Sequence, residues 1–159
     1  LNNYNLERQE TEKRIFKQAL EQIENGEKDK SCIVLGQEGW HHGIIGIVAS
    51  KVTDIYFKPS ILICFEGEEG KGSGRSIPGF NLHDAVMNCD TYVEKFGGHS
   101  MAIGINVKRE NFEEKETKEK TWKAFLYFFR ISDRASVCRA GTGRKHDSAS
   151  HGKGGSKRH

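Results

Sequence analysis

Two short stretches, residues 31–35 and 60–65, are apolar almost without interruption, and one amphipathic run separates them. Neither alternates polar with apolar residues, so each reads as a strand buried on both faces. Between them Ile44, Ile45, Val48, Val52 and Ile55 recur at helical spacing, which predicts a helix from Gly43 to about Tyr56. Lys58-Pro59 ends it. Strand, helix and strand in that order imply a parallel crossover, and so an α/β sheet flanked by helices.

The remaining elements follow from the same reasoning. Residues 6–25 read as a helix with Ile15, Phe16, Ala19, Leu20 and Ile23 on one stripe, stopped by Asn25-Gly26. Residues 36–42 read as a loop, 66–70 as an acidic turn and 71–77 as a third strand. Asn81 is placed to cap a helix reaching about Lys95, with Leu82, Ala85, Val86, Cys89 and Val93 on its apolar face. A loop is expected over 96–100, a fourth strand over 101–107 and a weakly held, highly charged helix over 109–120.

Composition limits how much of the chain can fold. Of 159 residues 35% are hydrophobic and 30% charged, which suits one domain with unpacked ends. No run approaches the roughly 18 apolar residues of a membrane span, and the N-terminus is polar rather than signal-like, so a cytoplasmic protein away from membranes is expected. The start without methionine suggests a fragment or a processed chain. Cys32, Cys64, Cys89 and Cys138 lack metal or redox spacing and read as reduced thiols. Residues 121–159 hold nine Lys or Arg against two acids, leaving sixteen against twenty in 1–120. The patterned part is therefore acidic, and any anion it binds must be held by local groups rather than a broad field.

Two glycine-rich signatures supply such groups. In Gly-Ser-Gly-Arg-Ser (72–76), glycine permits close backbone approach, Ser73 and Ser76 offer hydroxyl donors, and Arg75 offers a fork that fits phosphate. Ser73 and Arg75 are two apart, so on a strand they share a face. The competing reading is an edge strand with a solvated arginine. In Phe-Gly-Gly-His (96–99), Gly97 and Gly98 let His99 project from a tight turn, where it can donate to a phosphate or assist a leaving group; its alternative is a loop histidine capping a carbonyl. His41 and the first turn of the Gly43 helix are candidates for the same cleft. Adjacent His41 and His42 rarely converge on one ion and have only Glu38 nearby, so no metal site is expected. Trp40 reads as packing, and Arg8 alone as a solvated charge. The basic end reads as non-specific nucleic-acid binding or a frame-shifted terminus.

Four segments together resemble the RecJ family of single-stranded-DNA-specific 5′→3′ exonucleases. They are Leu-Asn-x-x-Asn-x-x-Arg-Gln (1–9), Gly-Trp-His-x-Gly-Ile-Ile-Gly-Ile-Val-Ala-Ser (39–50), Lys-Gly-Ser-Gly-Arg-Ser-Ile-Pro-Gly-Phe-Asn-Leu-x-Asp-Ala (71–85) and Glu-Lys-Phe-Gly-Gly-His-x-x-Ala-x-Gly (94–104). The resemblance covers about residues 1–112 and is to the DHHA1, substrate-binding half. It implies a small mixed, partly parallel sheet flanked by helices, with a connecting helix over 1–28, the DHHA1 domain over 29–115 and a divergent, largely disordered basic tail over 116–159. It also implies that Mn²⁺ or Mg²⁺ is bound by a DHH catalytic domain that would precede Leu1, none by this chain.

By motif match, Ser73 and Arg75 would grip the 5′-terminal phosphate of single-stranded DNA, with Ser76 beside them. Gly97, Gly98 and His99 would lie near the scissile phosphate. Arg8 becomes a further phosphate ligand and His41 a weaker cleft-wall candidate. No catalytic residue is expected in the chain beyond an assisting role for His99, and alone it is expected to be an inactive monomer. The alternatives are a non-catalytic nucleotide- or phosphate-binding module, or the DHHA1 part of a nano-RNA or cyclic-dinucleotide phosphodiesterase.

Overall fold

The structure, a computed structural model, describes residues 2–88 and 93–113. Five strands form one mixed sheet: β1 Ile33–Glu38, β2 Ser60–Glu66, β3 Glu69–Arg75, β4 Lys95–His99 and β5 Ala102–Lys108. Their order across the sheet is β1-β2-β3-β5-β4. β1 and β2 are parallel, with Ile33 opposite Ser60, and every other pairing is antiparallel. Helix α2, Ile45–Tyr56, connects the parallel pair, as the two apolar stretches require.

β2 lies inside the sheet and is covered on both sides, which explains why 61–65 is apolar at every position. Leu62 and Cys64 join Val48 and Val52 of α2, and beyond them Ile15 and Ala19 of the N-terminal helix α1, Asn2–Gln22. Ile61, Ile63 and Phe65 face the opposite way. They pack with Leu82 and Val86 of α3, Leu82–Met87, and with Ile103, Ile105 and Val107 of β5. Complete burial of each such side chain stabilises by about 1.5–3 kcal/mol before chain entropy is set against it.

α1 passes into a single π-helical turn, Ile23–Glu27, where Asn25-Gly26 is expected to stop it. Trp40 is buried, and its Nε1–H donates to Gln18 Oε1 at 2.9 Å, so its role is packing. Cys32 and Cys64 are free, buried thiols, and burial pushes the Cys64 thiol up from its ordinary value. Among the described residues no helix is long and apolar enough to cross a membrane.

Four boundaries depart from expectation. Asn81 caps α3, its Oδ1 accepting from the Asp84 N–H at 3.1 Å, but the helix ends at Met87. Lys95, expected at its far end, instead begins a strand. The loop expected over 96–100 is mostly β4: Phe96 pairs opposite Ile105, and its ring lies 5.3 Å from that of His83. The 36–42 loop is shortened because Gly36 to Glu38 extend β1, and the 66–70 turn narrows to Gly67 and Glu68. The chain continues after β5 as helix α4, Arg109–Glu113. The basic tail over 116–159, Cys89 and Cys138 lie outside the described residues.

Candidate functional site

β3 divides its side chains between two tasks. Gly72 and Gly74 face α3. A Cβ on Gly72 would stand 2.6 Å from Ile105 Cγ1, and one on Gly74 would stand 2.8 Å from Ile103 Cγ1. These glycines therefore let β5 close against the sheet, rather than admitting an anion as the sequence suggests. Ser73 and Arg75 lie on the other face, beside the first turn of α2.

There Arg75 Nη1–H donates to Ser73 Oγ at 3.1 Å and to the Gly74 carbonyl at 2.8 Å. Both side chains are half-buried. Among the described residues no carboxylate pairs with Arg75. The first turn of α2 passes close to the pair, and a Cβ on Gly46 would fall 2.9 Å from Arg75 Nη2 and 3.0 Å from Ser73 Oγ. Gly46 is a site residue the sequence reading passes over. Its signal is a glycine inside a helix, about 1 kcal/mol worse there than alanine and so retained for closeness.

The sheet register brings the second signature alongside. Arg75 is opposite Ala102, which is opposite His99; Ser73 is opposite Gly104, which is opposite Gly97. Two strand spacings, about 9–10 Å, separate the backbones of Arg75 and His99. His99 is exposed, and its Nδ1 accepts the Met101 N–H at 3.2 Å. In the neutral ring the proton is then on Nε2, which is left as an outward donor. Alternation sends Gly98 to the α3 side. There φ is +134°, and an added Cβ would stand 2.3 Å from the Ala102 carbonyl oxygen, so only glycine fits.

Ser76 is not brought to this surface. It is buried, and its hydroxyl donates to the Phe80 carbonyl at 2.7 Å, fixing the turn that follows β3.

Arg8 and His41 come together in a second recess of about 310 Å³ between α1 and the start of α2, with Tyr4, Thr11 and Ile44 among its walls. His41 uses the same device as His99: its Nδ1 accepts the Gly43 N–H at 3.0 Å, leaving Nε2–H outward. The Ile44 and Ile45 N–H groups both donate to the His41 carbonyl, so this helix start keeps three of its donors for itself. The His41 and His42 rings stack, 5.2 Å apart and 11° from parallel, which prevents them from converging on one ion. Among the described residues no group of three or more His, Cys, Asp or Glu is placed to hold a metal. Ile44 walls this recess, which Glu7 also lines, and Gly46 abuts Arg75, so the first turn of α2 separates the recess from the arginine site.

Comparison with known proteins places this geometry. Residues 29–122 match the family model described as DHHA1 domain. The single-stranded-DNA-specific exonuclease RecJ of Bacillus subtilis is 39% identical over 113 residues, 70% of this chain and 14% of that protein. The enzyme of the same name from Dickeya dadantii is 36% identical over 123 residues, 72% of this chain and 21% of that one. The chain thus spans under a quarter of the length of these relatives. A crystal structure of RecJ in complex with Mn²⁺ from Thermus thermophilus superposes with a TM-score of 0.68 at 25% identity, covering 79% of this chain and 18% of that one.

Proposed function

We infer that this chain, which belongs to the DHHA1 domain family, is the portion of a RecJ-like exonuclease that holds the 5′ end of single-stranded DNA. The observation that carries this reading is the Arg75 fork, which no carboxylate among the described residues engages and which lies 3.1 Å from the Ser73 hydroxyl. A terminal phosphate can replace those internal contacts with two charge-assisted bonds from the guanidinium and one from the hydroxyl. His99 Nε2–H and the side-chain-free backbone at Gly97 lie two strands away in the same rows as Arg75 and Ser73, where the next nucleotide would pass. Gly98 contributes by shaping that strand. Arg8 and His41 take a further phosphate on the other side of the first turn of α2. Ser76, its hydroxyl committed to Phe80, supports the turn and makes no contact with DNA.

In this reading the chain binds and orients while cleavage is carried out elsewhere in the same protein. The metal ions would be held by carboxylates and histidines of a DHH catalytic domain. Bound there, the metals would supply an activated water. This chain's part is to fix the strand end so that the same bond is presented at each step.

The test compares 5′-phosphorylated with 5′-hydroxyl oligonucleotides. Arg75→Ala should cost about 1.5–3 kcal/mol of binding to the phosphorylated form alone, the range for hydrogen bonds to charged groups. Retention of the full preference for a 5′-phosphate by that variant would sink the assignment.

A further inference from the structure

We propose that Lys71, Asn106 and Lys95 form a phosphate subsite apart from those at Arg75 and Arg8, which takes a phosphodiester further along the DNA strand held at Ser73 and Arg75. The inference rests on the 5′-end reading above and extends it to residues with no assigned role. Lys71 is opposite Asn106 and Asn106 is opposite Lys95, so the three make one row across β3, β5 and β4. Each stands an even number of residues from Ser73, Gly104 or Gly97, which puts the row on the same face as the arginine site. All three are exposed.

Charge distinguishes this row from its neighbours. Among the described residues no carboxylate pairs with Lys71 or Lys95, whereas Lys108 in the next row is engaged by Glu94 at 3.6 Å. That next row also carries Glu69, opposite Lys108, with Glu66 beside it on β2. The sheet face is thus cationic from Arg75 to Lys71 and acidic immediately beyond. A polyanion is admitted to the first part and turned away from the second.

Shape agrees with charge. The row between the two cationic sites is Ser73, Gly104 and Gly97, and a Cβ on Gly97 would meet nothing within 4 Å. A sugar-phosphate backbone leaving Arg75 therefore crosses without obstruction. Neighbouring rows are about 6.8 Å apart, two residues of strand rise, and this is the scale of successive phosphates in an extended polynucleotide. The lysines supply point charges, and the Asn106 amide can donate to a phosphate oxygen.

The test titrates the 159-residue chain with 5′-phosphorylated oligothymidylate, by fluorescence anisotropy over a range of salt concentrations. Each phosphate contact on a single strand steepens the log–log salt dependence by about 0.7. Lys71→Gln and Lys95→Gln should each weaken binding of the oligonucleotide, and the double variant should lower the slope by about 0.7, the contribution of the one phosphodiester. Affinity for thymidine 5′-monophosphate should be unchanged in both, and Lys108→Gln should alter neither quantity. An unchanged slope in the double variant, or an equal loss of affinity for the mononucleotide, overturns the Lys71–Lys95 subsite. Either result leaves the 5′-end reading standing so long as Arg75→Ala abolishes the 5′-phosphate preference. If that preference survives Arg75→Ala, the 5′-end reading falls and takes this one with it.

Discussion

Gly46 separates binding from stability. Alanine there would improve the helix by up to about 1 kcal/mol. Its methyl would, however, meet Arg75 Nη2 at 2.9 Å and Ser73 Oγ at 3.0 Å. Those are ends of flexible side chains, so the fold gives way locally and the site is what changes. Gly46→Ala is expected to hold or raise the urea midpoint while weakening 5′-phosphate binding about tenfold, about 1.4 kcal/mol. Gly98 should behave oppositely: Gly98→Ala puts a Cβ against backbone at a positive φ and should cost about 1–3 kcal/mol of stability. At this scale the sequence is legible where spacing alone fixes direction. Ser73 and Arg75, two apart on a strand, must share a face, and they do. It is silent where the reason for a residue lies across the sheet: Gly72 and Gly74 are small because of Ile105 and Ile103, on a strand that follows only after α3 and β4.

β4 shows how an element escapes notice. Of Lys95–His99 only Phe96 reaches the apolar cluster, and two glycines replace the alternation that marks a strand. What makes it a strand is β5, whose Ile103, Ile105 and Val107 present an unmistakable period of two. The opposite error, extending α3 to Lys95, comes from Cys89 and Val93, which continue the helical spacing past the point where α3 ends at Met87. Ile105→Ala should lower stability by about 2–5 kcal/mol, as for other large-to-small core changes. The same substitution should loosen β4 in hydrogen exchange before it loosens β2. At the far end of α1, Glu24 is held below the usual carboxylate range by its bond to Lys28 and then by the Tyr56 hydroxyl. A depressed carboxylate stabilises the fold at neutral pH and loses that contribution as pH falls through its folded value. Glu24→Gln should therefore lower Tm slightly at pH 7 and not at all in strong acid.

At the scale of the whole molecule, the described elements cover the sheet unequally. α3 and the turn after β3 pack its one face, while on the other α2 lies over β2 and β3, leaving Gly104, Asn106 and Lys108 of β5 exposed. The parallel crossover is readable because each of its parts is locally periodic. The uncovered half is not, because exposure is a property of what the neighbouring elements fail to reach. Since the proposed contacts are all made by side chains and backbone of this chain, chelation with EDTA should leave its oligonucleotide affinity unchanged. A dependence on added Mn²⁺ or Mg²⁺ would show that a metal takes part in holding the strand end.

The division of β3 into a side for isoleucine and a side for phosphate ties ancestry to arithmetic. Insertion or deletion of a single residue between Glu69 and Arg75 would turn the guanidinium into the oily interior and a glycine toward the ligand. Removal of two would restore the phase. Length variation within this strand, wherever lineages permit any, should therefore come in even steps.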